Sequence, residues 1–281
     1  MKPKYIDVHS HVNFAAYDED RDIVIKRTLE SGVWMLNVGT QKDTSQSVVE
    51  LCEKYDEGVY GIVGLHPIHT SASYHDTQEL GEGGREFTSR GEDFDRDFYK
   101  KLTEHPKVVG IGECGLDYYR VEKETREKQF EVFRKHIELS LEVNLPLMLH
   151  VRPTPKTTDA YEDALSILSE FGDKPRGNVH FFVGTTDIAD RFFERGFTVS
   201  FTGVITFADS YDKVVRNAPL DMILSETDAP FIAPALHRGK RNEPLHVRDV
   251  VRRIAELKRE DEEKVREALI ENARKVFSLP I

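Results

Sequence analysis

The sequence predicts an α/β fold, a TIM (β/α)8 barrel forming one domain over residues 1–281. Three observations carry that expectation. Short β-rich runs alternate with longer helix-patterned stretches, which implies a parallel sheet covered by helices. The runs number eight and no Gly-rich dinucleotide loop accompanies them, which favours a closed barrel over an open doubly wound sheet. The length, 281 residues, suits a barrel that needs roughly 250.

The strands are expected at Tyr5–His9, Val33–Val38, Val59–Leu65, Val108–Gly112, Leu145–His150, Gly177–Phe182, Phe197–Phe201 and Met222–Ser225. The stretches between them are amphipathic. In Glu124–Glu142, for example, Phe130, Phe133, Ile137 and Leu141 recur at spacings of three and four. One segment breaks the rhythm. Pro67–Glu92 is rich in Gly, Ser, Thr and charge without apolar periodicity, and reads as an inserted loop of the kind that forms binding lids or is disordered. Its GEGG run reads as a flexible turn. No Pro- or Ser-rich linker divides the chain. Two helices, His246–Lys258 and Asp261–Phe277, end it, the last packing on the barrel through Val265, Leu269 and Val276.

Hydrophobic residues make up 39% and charged residues 32%, enough for a large core under a well-solvated surface. The net charge of −11 argues against a broad basic face for gripping nucleic acid. It does not argue against a hydrolase whose cations supply positive charge locally. Cys52 and Cys114 are far apart and lack CxxC spacing, which points away from a disulfide framework and towards a reducing compartment. The N-terminus carries no signal-like apolar run, and no stretch approaches the roughly 20 apolar residues of a membrane span. A cytoplasmic protein without a membrane partner is expected, and the oligomeric state is left open, a monomer included.

His9 and His11 lie two apart at the end of the first strand, so both project from one face and can converge on one cation. That spacing alone is weak, since 11 histidines in 281 residues yield about 0.4 such pairs by chance. Its weight comes from its company. Glu113 ends the fourth strand, His150 the fifth, His180 lies near the end of the sixth, and Asp228 follows the eighth. In a parallel barrel the C-terminal strand ends share one open face. Nitrogen and carboxylate donors without thiolate suit divalent ions such as Mg, Mn or Zn, and a carboxylate can bridge two. Two such ions outweigh the charges of Glu113 and Asp228, leaving a centre that attracts a phosphate or a polarised carbonyl.

The DVHSH start, GECGLDYYR from Gly112, the strand-end His150 and His180, SETDAPFIAP from Ser225 and RNEP from Arg241 resemble the TatD family of metal-dependent deoxyribonucleases. The match runs in order through nearly the whole chain, and GECGLD and ETDAP are far more specific than the histidine pair. The resemblance implies two divalent metal ions: one held by His9, His11, Glu113 and Asp228, the other by Glu113, His150 and His180, with Glu113 bridging. It implies that Asp228 also orients or deprotonates the attacking water, that Glu226 supports the ligands, and that DNA is the substrate. The scarcity of positive surface charge favours an accessible end or single strand over a long duplex. Two departures stand out. HFFVG at His180–Gly184 replaces the family's HCFSG, and Pro67–Glu92 is longer than expected by roughly twenty residues.

Asp7 could be a ligand, but reads more readily as a support orienting His9. His66 and His69 could touch a substrate phosphate or be merely solvated, and the resemblance puts His66 at the pocket rim. Arg152 could hold a phosphate oxygen or pair with a nearby aspartate. Tyr118, Tyr119 and Arg120 could line the cleft or pack, and the RNEP loop, with Asn242, is given a rim role by the resemblance. His75, His105, His136 and His237 read as structural or surface residues. No GxSxG elbow or Cys–His pair offers a competing nucleophile. The leading expectation is phosphodiester hydrolysis. A C–N or carboxyl ester hydrolase, including one for aminoacyl-tRNA esters, remains open, as does a non-catalytic relict. Related amidohydrolases often bridge their metals with a carboxylated lysine, and Glu113 in that place favours the phosphodiesterase.

Overall fold

A computed structural model describes residues 2–75, 87–119 and 125–281. Eight strands form one parallel sheet in chain order: β1 (Tyr5–Ser10), β2 (Val33–Val38), β3 (Val59–Val63), β6 (Val108–Asp117), β7 (Leu147–Arg152), β8 (Gly177–His180), β9 (Phe197–Phe201) and β10 (Ile223–Ser225). The sheet curls until the segment after β10 meets β1. There His11 N–H donates to Ala229 O at 2.6 Å and Asp228 N–H to His9 O at 2.9 Å. These bonds bring the first and last site segments side by side. The barrel expected from the sequence is the fold observed.

Helices follow the strands: α1 (Arg21–Glu30), α2 (Lys42–Glu53), α3 (Arg96–Leu102), α4 (Arg126–Val143), α5 (Asp159–Ser169), α6 (Thr186–Glu194), α7 (Asp212–Asn217), α8 (Val247–Lys258) and α9 (Glu262–Phe277). Most of the core lies between strands and helices, where Val59, Ile111, Leu147 and Val199 meet Phe133, Ile137, Leu165 and Phe192. A second cluster gathers Ile6, Leu36, Ile62, Met148 and Leu224 from five strands. Ala273 and Phe277 of α9 join it, so the last helix covers the barrel opposite the rim. Asp261 caps α9 by accepting from Lys264 N–H at 3.1 Å. Among the described residues no helix is long and apolar enough to cross a membrane.

The structure departs from the sequence reading in two places that matter. The segment expected as a loop holds an antiparallel hairpin, β4 (Ala72–His75) paired with β5 (Phe87–Arg90). Residues 76–86, with the GEGG run, lie outside the described residues, as does Arg120. The fourth barrel strand does not end at Gly112. It continues to Asp117 through a register shift between Gly112 and Cys114. Glycine permits this. A Cβ at Gly112 would lie 2.4 Å from Met148 O, and one at Gly115 only 2.2 Å from His150 O. Both glycines have positive φ, 146° and 134°, and they let β6 run close along β7.

His136 ties the helix layer to the rim. Its Nδ1 donates to Val132 O at 2.8 Å, so its Nε2 accepts, taking the Leu65 N–H at 3.0 Å just before His66. Burial pushes its pKa down to about 4. His136→Ala should therefore cost about 2–4 kcal/mol, measured as the shift in a urea unfolding curve. The unfolded ring titrates near its ordinary 6.5 and the folded one near 4. The wild type should thus lose up to about 3 kcal/mol of stability as pH falls through that window, and the variant should show a flatter profile.

Candidate metal centre

The rim end of β1 carries His9 and, one residue beyond the strand, His11. A register shift between Asp7 and Ser10 against β2 accompanies their approach, and their Nε2 atoms lie 3.1 Å apart. The extension of β6 brings Glu113 between them and the histidines of β7 and β8. Its Oε2 is 3.5 Å from His9 Nε2 and 3.7 Å from His11 Nε2. Asp228 Oδ1 completes this side at 3.7 and 3.4 Å from the same nitrogens. Its backbone φ of 53° is the left-handed region, rare for a residue with a Cβ, and Asp is among the side chains that tolerate it.

The other carboxylate oxygen faces the other way. Glu113 Oε1 is 2.8 Å from His150 Nδ1, 2.8 Å from His180 Nε2 and 3.2 Å from His66 Nε2. His150 Nδ1 and His180 Nε2 are themselves 3.2 Å apart. The structure therefore brings together all six residues expected as ligands. His9–Glu113–His180 and His9–His11–Asp228 each offer ligand atoms within 4.8 Å of one another.

The protons on these rings can be assigned from their partners. His11 Nδ1 faces Val38 O at 2.9 Å, and a carbonyl only accepts, so His11 Nε2 presents a lone pair. His150 lies between two carboxylates, with Nε2 2.8 Å from Asp117 Oδ2 and Nδ1 2.8 Å from Glu113 Oε1. Burial opposes protonation, but the two carboxylates outweigh it and raise the ring's pKa. A cation on the Glu113 side would take the place of the Nδ1 proton while Nε2 keeps donating to Asp117. His66 is the reverse: its Nδ1 accepts from Ile68 N–H at 3.1 Å, so in the neutral ring Nε2 carries the proton and donates to Glu113. His66 is a hydrogen-bond donor at the centre. The imidazole nitrogens of His9, His11, His150 and His180 converge with two carboxylates in a donor set that fits divalent cations. Cys114, although next to Glu113, has its Sγ 3.8 Å from Met148 O.

Burial sets the charges. It holds His9 neutral, with its pKa lowered to about 3, and lowers His66 to about 4. Burial alone would raise Glu113, but the imidazoles of His66, His180, His9 and His150 around it outweigh burial and hold the carboxyl well below its ordinary range. For His180 burial opposes protonation, yet Glu113 and Glu226 raise its pKa well above the usual value.

Surrounding groups lock the geometry. Asp7, fully buried, accepts from Thr227 Oγ1 at 2.6 Å, Thr227 N–H at 2.9 Å and His9 N–H at 3.3 Å, joining β1 to the ETDAP segment. Glu226 accepts from Phe181 N–H and Ser200 Oγ–H, both at 2.6 Å, and its Oε1 lies 3.5 Å from His180 Nδ1. Arg152 lies at the rim with its guanidinium 3.8 Å from the Tyr119 ring centre. Tyr118 is buried and donates to Asp163 at 2.8 Å, a packing role. His69 is also buried rather than solvated. Sequence reasoning missed Asp117. The signal was its place four residues after Glu113, which in an uninterrupted strand puts both on one face.

Asn242 does not fit a substrate contact. It is completely buried, its amide donating to Thr227 O at 2.9 Å and Phe231 O at 2.8 Å while its Oδ1 accepts from Glu243 N–H at 2.9 Å. On either side of it, Arg241 pairs with Asp20 at 2.6 Å and Glu243 with Arg27. RNEP thus staples the loop after β10 onto the α1 side of the barrel.

A parallel barrel with buried imidazoles and carboxylates converging at its rim defines the class of metal-dependent hydrolases. The chain belongs to the TatD-related DNase family, whose sequence model matches residues 6–278. It is 37% identical over 277 residues to the uncharacterized metal-dependent hydrolase YabD of Bacillus subtilis, covering 97% of this chain and 98% of that one. It is 30% identical over 283 residues to the 3'-5' ssDNA/RNA exonuclease TatD of Erwinia billingiae, covering 98% and 99%. The crystal structure of YjjV, a TatD homologue from Escherichia coli, superposes with a TM-score of 0.79 at 26% identity, with both chains fully covered.

If Asn242 is a clamp, Asn242→Ala should cost about 2–4 kcal/mol by thermal or urea unfolding and leave KM within about threefold for any substrate turned over. A stable variant whose KM rose tenfold or more would instead make Asn242 a substrate contact.

Proposed function

We propose that the chain hydrolyses phosphodiester bonds in DNA with two divalent cations, Mg, Mn or Zn, acting in the cytoplasm. His9, His11, Asp228 and Glu113 Oε2 would hold one ion, and Glu113 Oε1, His150 and His180 the other. The observation that carries this reading is the division of Glu113, whose two oxygens face two separate ligand sets. The names of relatives support the substrate: the Erwinia billingiae protein is an ssDNA/RNA exonuclease, and a zebrafish relative 30% identical to this chain is a putative deoxyribonuclease.

When bound, the cations would acidify a water molecule and draw charge from the phosphoryl oxygens of the transition state. The chain's own groups do the rest. Asp228, with its carboxylate 11% exposed, orients the attacking water and takes its proton. His66, whose Nε2 proton bonds Glu113 Oε1 in the structure, would turn it to a phosphoryl oxygen as a neutral donor once a cation occupies that oxygen of Glu113. Arg152, braced by Tyr119, holds a phosphate oxygen at the rim.

A metal-reconstituted panel of oligonucleotides, simple phosphodiesters and carboxyl esters tests the proposal. Metal-stripped protein should be inert, Mn or Mg should restore oligonucleotide cleavage, and Asp228→Asn should lower kcat by about 10²–10⁴-fold. Uncut oligonucleotides alongside turnover of dipeptides, lactones or aminoacyl esters would move the assignment to an amide or ester hydrolase. His66→Ala should lower kcat by about 10²-fold while elemental analysis finds the metal content unchanged. Loss of an ion with that side chain would make His66 a ligand.

A further inference from the structure

His66, Asp117 and His150 form a third grouping whose ligand atoms lie within 4.8 Å of one another. Spacing alone would make it another cation site, but the protons exclude that. His66 Nδ1 accepts the Ile68 N–H, so its Nε2 carries a proton. His150 Nε2 donates to Asp117, and one neutral imidazole cannot offer lone pairs from both nitrogens. With His150 Nε2 committed to Asp117 and its Nδ1 turned to Glu113, only Asp117 would be left to hold an ion among the three.

We propose that Asp117 and Gln129 form a positioning relay that aims the His150 lone pair at the second cation. The inference rests on the reading of His150 as a ligand of that ion. Asp117 is 2% exposed, and its two oxygens have distinct partners. Oδ2 takes the His150 proton at 2.8 Å, and Oδ1 takes the Tyr119 N–H at 2.9 Å. The second bond stops the carboxylate from rotating away from the first.

The main chain of Asp117 is fixed from outside the sheet. Gln129 of α4, 1% exposed, accepts the Asp117 N–H at 2.8 Å and donates to the Asp117 carbonyl at 3.0 Å. The side-chain amide thus grips the strand end as a neighbouring strand would. Order passes from α4 through Asp117 to His150 Nε2, and so to Nδ1 at the centre. A carboxylate acceptor behind an imidazole selects one tautomer and strengthens the opposite nitrogen as a donor.

The test titrates Mn(II) into the metal-stripped full-length chain by calorimetry and reads the His150 tautomer by long-range ¹H–¹⁵N NMR without metal, at a pH high enough that the ring is neutral. Asp117→Asn should weaken one of the two ions by about 10–100-fold and leave the other within about threefold. In the NMR spectra, wild-type His150 should be protonated at Nε2, and the variant should show a mixture. Gln129→Ala should shift both readouts in the same direction by less. A variant with a lower melting temperature but unchanged affinities and tautomer would make Asp117 merely structural and overturn the proposal. Loss of a complete binding equivalent from a total of three would make Asp117 a ligand and overturn it too. If the wild type binds no Mn(II), the two-cation reading itself fails, and the relay with it. An NMR tautomer change without an affinity change would leave the two-cation reading intact and overturn only the relay.

Discussion

The centre depends on keeping one carboxylate charged while it is buried. Glu113 is 3% exposed, and an isolated anion at that depth would take up a proton. It stays ionised because imidazoles surround it and at least one, His66, donates a proton to it. The imidazoles come from four stretches of chain, at His9 and His11, His66, His150 and His180, so the carboxylate is stable only when the barrel has closed and its rim has assembled. The requirement reaches back into the backbone. Glu113 lies between Gly112 and Cys114, where β6 shifts register, and only glycine allows the close approach to β7 that brings His150 alongside.

Around this carboxylate the histidines differ by what their far nitrogens do. His11 is fixed by a main-chain carbonyl, His150 by Asp117, and His66 by a main-chain N–H that reverses its tautomer. His180 has Glu226 behind it at 3.5 Å, and that carboxylate also takes the Phe181 N–H. Phe181 has φ of 45°, a conformation that costs a non-glycine residue about 1–3 kcal/mol, and the charge-assisted bond to Glu226 helps to hold it. His9 Nδ1, like that of His180, is buried without a hydrogen-bond partner. Its ring stacks instead on that of His180, with centroids 3.9 Å apart. His9 is thus placed by packing and by the Asp7 bond to its backbone.

Strand order and the rim residues were legible in the sequence because each reports a local rule. Period-two runs mark strands, and parallel strands end on one face, so His9, Glu113, His150, His180 and Asp228 could be grouped without coordinates. The extension of β6 was not legible. GECGLD has two glycines and reads as the end of a strand, whereas the glycines are there to let the strand continue past an obstacle. That misreading concealed Asp117. The hairpin flanking the described gap escaped for a different reason: its strands have four residues each, too few for alternation to rise above composition. Asn242 was placed at the rim by its neighbours, but the direction of a side chain is a tertiary fact, and this one points inward.

An acidic protein with a cation-binding rim constrains any nucleic acid it meets. With a net charge of −11 the surface as a whole repels a phosphate backbone, so little affinity comes from contacts spread along a duplex. Attraction is concentrated where cations would face Glu113 and Asp228, and these side chains are only 4% and 11% exposed. A scissile phosphate must reach that depth past Arg152, and RNEP anchors the loop on the opposite side through the Arg241–Asp20 and Glu243–Arg27 pairs. A strand end can thread such an opening at small cost, whereas the middle of a duplex would have to be bent or opened first. Under the nuclease reading, the preference for accessible ends therefore follows from where the charge is and how deep it lies, without any residue that reads a base.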